Sequence, residues 1–240
     1  MPQLLISASG TGGHLYPALA VAEACSSNWK ISWLGVPDRL ENDLVPNKYE
    51  LFHIRVSGLN GNGLKKIFQF FRLLASTKIV VRLIKEKKIQ VVFTTGGYIS
   101  APTVLAARLC RIPVILHESN SLPGRVTRFL GPFCNYVALG SPVSSKFLIG
   151  CKTVFTGTPI RKEFLIKATC PSWVPKGLGK LIVVIGGSQG AVGLNQMIRE
   201  LSPYLLNKGF RMVLLTGKND KNNNQFVHQN LVEKTFSHEI

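Results

Sequence analysis

Acidic residues are scarce in this chain. Its 240 residues contain 12 Asp and Glu against 29 Lys and Arg, which gives a formal net charge of +17 at pH 7. No D-x-D sequence occurs, so we expect no metal-held diphosphate, and helix termini and arginine would have to neutralise that group. The charge excess predicts an anionic partner, either a nucleic acid, an acidic lipid surface or a phosphorylated substrate. A solvated basic surface is the alternative interpretation.

Paired cysteines and long apolar runs are missing as well. The five cysteines are odd in number and show no C-x-x-C spacing, which argues against a disulfide framework or a zinc site and favours a reducing compartment. The first residues lack the basic and apolar regions of a signal peptide, so we expect no secretory leader. No apolar run reaches the roughly 18 residues that a spanning helix needs, so any membrane contact is expected to be peripheral.

Short apolar runs alternate with helical patterns along residues 1–156. This alternation predicts an α/β fold with a parallel sheet covered by helices on both faces. The predicted strands lie at residues 4–7, 31–34, 91–94, 114–116 and 136–139. The predicted helices lie at residues 17–25, 64–88 (with a break near residues 76 and 77) and 101–110. Ligands of such sheets bind at the carboxyl ends of the strands, where the glycine-rich loops of this chain fall.

The same pattern restarts after a segment rich in Pro, Gly and Lys at residues 168–179. Strands are predicted at residues 181–185 and 211–216, with a helix at residues 194–206 between them. We therefore expect two doubly wound domains, at residues 1–157 and 158–240. Because two strands make a marginal sheet, the second domain is expected to be incomplete and the chain to be shortened at its C-terminus.

Two glycine loops lie between a predicted strand and a predicted helix. The first, at residues 9–14, is neither a dinucleotide fingerprint nor a P-loop, and as a single motif it suits a tight turn as well as a phosphate site. The second, at residues 186–191, has the same setting. Together the two loops favour phosphate binding, because the N–H groups at a helix start attract anions. Twin domains that face each other across a cleft could hold two phosphate-bearing substrates.

Polar residues follow the other predicted strands. Tyr98 comes after a glycine pair, where it would either pack or contact a ligand, and residues 117–120 are four polar residues at a strand end. Arg161 lies at the domain junction and would either clamp a diphosphate or be solvated. Of these positions, the four polar residues at 117–120 favour a site at the carboxyl end of their strand.

Residues 64–88 form a basic amphipathic segment in which Glu86 is the only acid. Aromatic and aliphatic side chains alternate there with lysines and arginines. Such a helix suits an anionic lipid surface. The alternative is a core helix with solvated lysines, and we expect part of the stripe to pack in the core.

The order and spacing of these motifs, from residue 1 to about residue 236, resemble the MurG family of bacterial glycosyltransferases. The motifs that carry the resemblance are GTGGH at residues 10–14, GGY at 96–98, HESN at 117–120, GTPIR at 157–161, and GGSQGA and LNQ within 186–196. Members of this family transfer N-acetylglucosamine from UDP-N-acetylglucosamine to the membrane-bound lipid I, which yields lipid II for peptidoglycan.

The resemblance implies the GT-B architecture of two Rossmann-like domains, the first for the lipid acceptor and the membrane, the second for the UDP-sugar. It implies inversion at the anomeric carbon without a metal ion or a cofactor. It also implies a peripheral protein at the cytoplasmic face of the bacterial inner membrane.

The family pattern further implies roles for single residues. His14 would be the general base toward the acceptor hydroxyl, a role that suits an imidazole near neutral pH, and Glu118 is the second candidate for acid–base or positioning work. The implied donor-binding residues are Thr11, Gly12, Gly13, Asn120, Arg161, Ser188 and Gln189, and the implied acceptor-side residues are Gly10, Gly97 and Tyr98. Ser119 and Thr158 depart conservatively from the family pattern, which usually has Gln and Asn there.

Three other functions compete with this enzyme. A shortened chain without a working donor site would be a membrane-binding remnant. A related transferase would use another glycolipid acceptor, since acceptor choice is not readable from these motifs. Nucleic-acid binding would account for the charge, but the sequence contains no recognition motif for DNA or RNA, so we expect no nucleic-acid partner.

Overall fold

The computed structural model describes residues 1–25, 27–56, 64–166, 169–187, 190–220 and 226–237; the side chains of residues 64–67 and 70 lie outside that description. The chain divides into two compact units, Met1–Ile166 and Lys167–Ile240, which we call unit 1 and unit 2. Each unit is built around a parallel sheet. None of the described helices is long and apolar enough to cross a membrane.

Unit 1 contains a seven-stranded parallel sheet in the order β3-β2-β1-β4-β5-β6-β7. The strands are β1 (Gln3–Ser7), β2 (Lys30–Gly35), β3 (Glu50–His53), β4 (Val91–Thr94), β5 (Val114–Glu118), β6 (Tyr136–Leu139) and β7 (Thr153–Phe155). The α-helices are α1 (Gly12–Cys25), α2 (Glu41–Leu44), α3 (Leu64–Glu86), α4 (Ser100–Leu109) and α5 (Arg125–Leu130), and 3₁₀ turns lie at Gly131–Phe133, Pro142–Phe147 and Lys162–Leu165. The strand order reverses between β1 and β4, and a sheet of this kind has its ligand crevice at the carboxyl ends of those two strands.

Side chains from alternate positions of the strands fill two cores, one on each face of the sheet. Leu5 packs on one face with residues of α3 and α4. Its neighbours Leu4 and Ile6 pack on the other face with Trp33 and with residues of α1. Full burial of each such side chain contributes roughly 1.5–3 kcal/mol, so the central strands hold the loops at their ends firmly.

Helix α1 begins at Gly12 and not at residue 17 as predicted. The glycines of the first loop therefore form the first turn of the helix. Pro17 lies inside α1, where it removes the hydrogen bond to the carbonyl of Gly13 and its ring crowds that carbonyl. Packing of Leu15 and Ala18 into the core outweighs the poor helix propensity of the glycines.

Helix α3 is continuous through residues 76 and 77, where a break was predicted. Thr77 Oγ1 donates a hydrogen bond to the carbonyl of Leu73, one turn earlier, at 2.8 Å. Ser76 Oγ donates to the carbonyl of Arg55 at 3.2 Å. Both hydroxyls find acceptors without interrupting the helix, which is why the prediction was wrong.

Unit 2 contains a three-stranded parallel sheet in the order β10-β9-β8. The strands are β8 (Leu181–Ile185), β9 (Arg211–Leu215) and β10 (Leu231–Lys234), and the helix α6 (Val192–Asn207) joins the first two. The central strand β9 is buried, whereas β8 exposes 41% of Val183 and 55% of Ile185. The sheet therefore has one more strand than predicted, but the described residues of the chain leave one face of β8 partly exposed.

Candidate active site

His14 lies at the point where the strand order of unit 1 reverses. It is half-buried in the first turn of α1, and its Nδ1 is 2.6 Å from the carbonyl oxygen of Thr95, which follows β4. Because a carbonyl oxygen can only accept a hydrogen bond, Nδ1 must carry the proton. In the neutral ring Nε2 then holds the free lone pair, which is the state that a general base requires.

The glycine pair after β4 lies beside the His14 ring. Gly96 and Gly97 have φ angles of +88° and +76°, which side chains rarely adopt. A Cβ on Gly96 would lie 3.6 Å from His14 Cε1, and one on Gly97 would lie 3.9 Å from Nε2. The structure thus brings Gly97, an acceptor-side prediction, next to the predicted base.

The loop at residues 8–13 presents backbone N–H groups at the start of α1. Gly10 has a φ of +102°, and the N–H groups of His14 and Leu15 both donate to the carbonyl of Thr11, at 3.0 and 3.1 Å. Gly12 and Gly13 follow Thr11 directly, and their N–H groups, the first two of the helix, have no carbonyl partner one turn earlier within it. This arrangement can bind an anion.

Arg161 lies against two aromatic rings of unit 1. Its Cζ is 4.4 Å from the ring centroid of Tyr16 and 4.9 Å from that of Phe164. A Cβ on Gly12 would lie only 2.9 Å from Tyr16 Cε2, so the Tyr16 ring reaches from the glycine loop to Arg161. A guanidinium that stacks on aromatic rings keeps its N–H edge available for a phosphate. Sequence patterns alone did not single out Tyr16.

Glu118 is buried at the end of β5 and binds the loop that follows. Its Oε1 accepts hydrogen bonds from the backbone N–H of Asn120 at 3.0 Å and from the side-chain amide of Asn120 at 2.8 Å. Its Oε2 accepts one from the N–H of Gly124 at 3.1 Å. This carboxylate therefore orients Asn120 and the start of α5, a positioning role, while acid–base work by Glu118 stays a prediction.

His117 is a second imidazole near these loops, one position before Glu118, and it is buried. Its Nε2 lies 3.2 Å from the carbonyl oxygen of Gly157, and Ser119 Oγ lies 3.4 Å from its Nδ1. Burial lowers the pKa of His117, against smaller opposing effects of the Gly157 carbonyl and of Glu118. A neutral His117 therefore ties the end of β5 to residue 157.

Tyr98 is 52% exposed in the turn that precedes α4. Of the two interpretations of this residue, core packing does not fit such an exposed ring. Tyr98 directly follows Gly97, so its backbone lies beside the His14 loop.

The glycine loop of unit 2 lies at the carboxyl end of β8. Gly187 and Gly190 have φ angles of +78° and +88°, and a side chain on Gly190 would collide with the carbonyl of Thr216 at the end of β9. Asn195 of α6 donates to that same carbonyl at 2.8 Å. The predicted donor-binding residues Ser188 and Gln189 lie outside the described residues.

Within the described ranges, no group of three or more His, Cys, Asp or Glu could hold a metal ion.

Comparison with protein families gives two matches, one in each part of the chain. The model described as glycosyltransferase family 28 N-terminal domain matches residues 4–139, and the model of the C-terminal domain of the same family matches residues 181–240. The chain belongs to glycosyltransferase family 28.

Curated relatives match this family 28 chain over its whole length but are themselves longer. One from Prochlorococcus marinus is 59% identical over 240 residues, which are 100% of this chain and 67% of the relative. One from Synechococcus sp. (strain RCC307) is 57% identical with the same coverage. Both are named UDP-N-acetylglucosamine--N-acetylmuramyl-(pentapeptide) pyrophosphoryl-undecaprenol N-acetylglucosamine transferase. The chain thus spans about two thirds of the length of these relatives.

Two solved glycosyltransferase structures share the fold of this chain. MurG of Acinetobacter baumannii is 28% identical, with a TM-score of 0.69 over 99% of this chain and 69% of that one. A glycosyltransferase of kitacinnamycin, 13% identical, has a TM-score of 0.63 over 99% of this chain and 72% of that one. The predicted GT-B fold with a short second domain and the predicted resemblance to MurG are confirmed.

Proposed function

We propose that this family 28 chain serves the transfer of N-acetylglucosamine from UDP-N-acetylglucosamine to lipid I. The observation that carries the proposal is the His14–Thr95 hydrogen bond, which leaves Nε2 of His14 as a lone-pair acceptor beside an anion-binding helix start. The names of the relatives supply the substrates. The product would be lipid II, the membrane-bound unit of peptidoglycan.

In the proposed reaction, Nε2 of His14 removes the proton from the acceptor hydroxyl of lipid I. The oxygen attacks the anomeric carbon of N-acetylglucosamine, and the bond from that carbon to the diphosphate oxygen breaks with inversion. The leaving UDP gains negative charge, which the N–H groups at Thr11, Gly12 and Gly13 and the guanidinium of Arg161 would stabilise. Such groups need no reorganisation during the reaction, because the fold already holds them.

The remaining predicted residues complete this proposal. Asn120, oriented by Glu118, would contact the donor sugar, and Ser188 and Gln189 would bind the donor from the second domain. Gly10, Gly97 and Tyr98 would line the acceptor side. We keep residues 1–157 as the acceptor and membrane domain and residues 158–240 as the donor domain, with the addition that Arg161 lies within the compact unit 1.

A membrane surface on α3 is the second part of the proposal. The C-terminal half of this helix buries Val80, Leu83 and Ile84 in the core, whereas the N-terminal half exposes 70% of Phe68 and 63% of Phe71. We therefore propose that the two interpretations of residues 64–88 apply to different halves of one helix, with core packing in the C-terminal half and membrane contact in the N-terminal half. Exposed aromatic rings among lysines and arginines favour the headgroup layer of an anionic membrane. We place the protein peripherally on the cytoplasmic face of the inner membrane.

A transfer assay tests the proposed reaction. Because the chain spans two thirds of its relatives, we would compare it with a fusion that adds the remaining C-terminal third of the Prochlorococcus relative. Labelled UDP-N-acetylglucosamine and lipid I are incubated with each protein, and label in lipid II is counted. We expect transfer by the fusion, and neither transfer nor tight UDP-sugar binding by the chain alone.

The other outcomes separate the competing functions. A fusion that binds anionic vesicles but labels no lipid would favour a membrane-binding remnant whose own residues, and not only its short second domain, fail to support transfer. Label on a different glycolipid acceptor, with none on lipid I, would show a related transferase. Transfer by the chain alone would contradict our expectation that its own second domain is insufficient.

A further inference from the structure

A fully buried carboxylate lies beneath the glycine loop that carries His14. Glu41 is the first residue of the short helix α2 and is completely shielded from solvent. Its Oε1 accepts a hydrogen bond from the N–H of Val36 at 2.7 Å, and its Oε2 accepts one from the N–H of Gly10 at 3.3 Å. One side chain therefore joins the loop after β2 to the loop after β1.

The end of β2 is shaped around this side chain. A Cβ on Gly35 would lie 2.7 Å from Glu41 Cγ and 3.0 Å from its Oε1. Any side chain at position 35 would therefore collide with the Glu41 side chain on its way to Gly10, so a glycine is needed there. The start of the loop is also fixed from β2, because Ala8 donates to the carbonyl of Leu34 at 3.3 Å and Trp33 Nε1 donates to the carbonyl of Ala8 at 3.1 Å.

Burying a carboxylate is costly unless hydrogen bonds replace the lost water. Here both oxygens find backbone N–H groups, and one belongs to Gly10, whose φ of +102° sets the direction of the chain into Thr11 and α1. A hydrogen bond to a charged group is stronger than a neutral one. The carboxylate thus fixes the glycine conformation that the loop requires.

We propose that Glu41 is a positioning residue that holds the Gly10–Gly13 loop and, through it, the imidazole of His14. It acts from inside the fold and does not touch the reacting atoms. The functional meaning of this role rests on the proposed function of His14, but the structural claim can be tested without any substrate.

The test uses the whole 240-residue chain and three variants. Glu41→Gln keeps the shape but replaces one acceptor oxygen with an NH₂ group that faces an N–H donor. Gly35→Ala displaces the carboxylate without removing it. Asp43→Asn is the matched control, because Asp43 is the exposed second acid of the same helix. The readouts are amide exchange by NMR, the nitrogen shifts of the His14 ring, and urea unfolding.

Glu41→Gln and Gly35→Ala should each speed exchange of the Gly10 amide by roughly tenfold to a hundredfold, while β5 amides keep most of their protection. The His14 nitrogen shifts should move from a single Nδ1–H tautomer toward an average of both tautomers, and Asp43→Asn should match the wild type. Unchanged Gly10 exchange and His14 shifts in both variants would overturn the proposal. Equal loss of protection throughout unit 1, or failure of both variants to fold, would also overturn it, because Glu41 would then support the whole unit. Absence of transfer in the fusion assay, with these shifts as expected, would refute the proposed function alone.

Discussion

The two units differ in how firmly a strand holds the loop at its end. In unit 1, the site loops follow β1, β4 and β5, whose side chains are almost all buried between two layers of helices. In unit 2, the glycine loop follows β8, an edge strand with two large apolar side chains exposed. The strand that precedes the glycine loop is therefore well packed in unit 1 and poorly packed in unit 2.

In unit 2, an ion-pair network supplements an apolar core that is smaller than the two cores of unit 1. Arg199 of α6 bonds Asp220 at 3.0 Å and, through two nitrogens, Glu233 of β10 at 3.1 and 3.0 Å. Breaking a buried ion pair is costly, but the intact pair adds little net stability because both charges lose water. Such a network fixes the position of α6 over the sheet more than it raises the free energy of unfolding.

The largest expected effect is that of His14→Ala, which tests whether the chemistry resides in unit 1. In the fusion protein, kcat for transfer should fall by roughly 10²- to 10⁴-fold, with little change in donor affinity, because a base acts mainly in the transition state. The exposed His53→Ala in β3 is the control. If kcat is unchanged and only acceptor binding weakens, His14 is a binding residue, and Glu118 becomes the candidate for the general base.

Charge reversal on α3 tests whether unit 1 also carries the membrane surface. Replacing Lys65, Lys66 and Arg72 by Glu should weaken binding to anionic vesicles by at least about a hundredfold, since each cation contributes about 1 kcal/mol at such a surface and each glutamate adds repulsion. A triple reversal of Lys30, Lys152 and Lys176 makes the same change in net charge outside α3. Vesicle sedimentation measures the binding. If both triple variants lose the same amount of binding, or if binding does not weaken at high salt, the membrane surface does not lie on α3 as proposed.

Loss of the contact between Arg161 and Tyr16 is expected to have a smaller effect. This change tests whether unit 1 also helps to bind the donor. Arg161→Ala and Tyr16→Leu should each weaken UDP binding to the fusion by about tenfold, the value of a partly shielded cation–π or phosphate contact. Tyr16→Phe keeps the ring and should bind normally. Calorimetric titration with UDP decides this, and normal binding by Tyr16→Leu would show that the ring does not position Arg161.

The smallest effect concerns the pH dependence of unit 1. Because burial lowers the pKa of His117 in the folded state, the native protein resists its protonation more than the unfolded chain does. The stability from neutral His117 is therefore present above the unfolded value of 6.5 and is lost as the pH falls toward the folded pKa. Urea unfolding at about pH 7.5 and about pH 5.5 should show a weaker pH dependence for His117→Gln than for His53→Gln. Equal dependence in both would assign the acid sensitivity to other groups.

The central strands could be predicted from sequence because they are buried on both faces and appear as continuous apolar runs. The strands β3, β7 and β10 could not, because each lies at a sheet edge, is short and is partly exposed. The start of α1 was predicted too late, since two glycines argue against a helix when their packing is unknown.

In the candidate site, too, residues in local motifs could be predicted from the sequence, and residues that depend on distant partners could not. His14, Glu118 and Arg161 stand in motifs that can be recognised along the chain. Tyr16 and Glu41 could not be recognised, because their partners Arg161 and Gly10 are remote in sequence and one of them is a backbone N–H. An acid in a short polar turn gives no local sign that it will be buried.

Residue-resolved hydrogen exchange of the intact 240-residue chain tests the difference between the units most directly. We expect amides of β1, β4 and β5 to exchange only through openings of high free energy, and amides of β8 and β10 to exchange through much easier openings. Amides of the loop that carries His14 should be protected from exchange as well as those of β1. Amides of the glycine loop of unit 2 should be less protected than those of β9. Uniform protection of both units, together with tight and uracil-selective binding of UDP-N-acetylglucosamine to the same sample, would contradict this account.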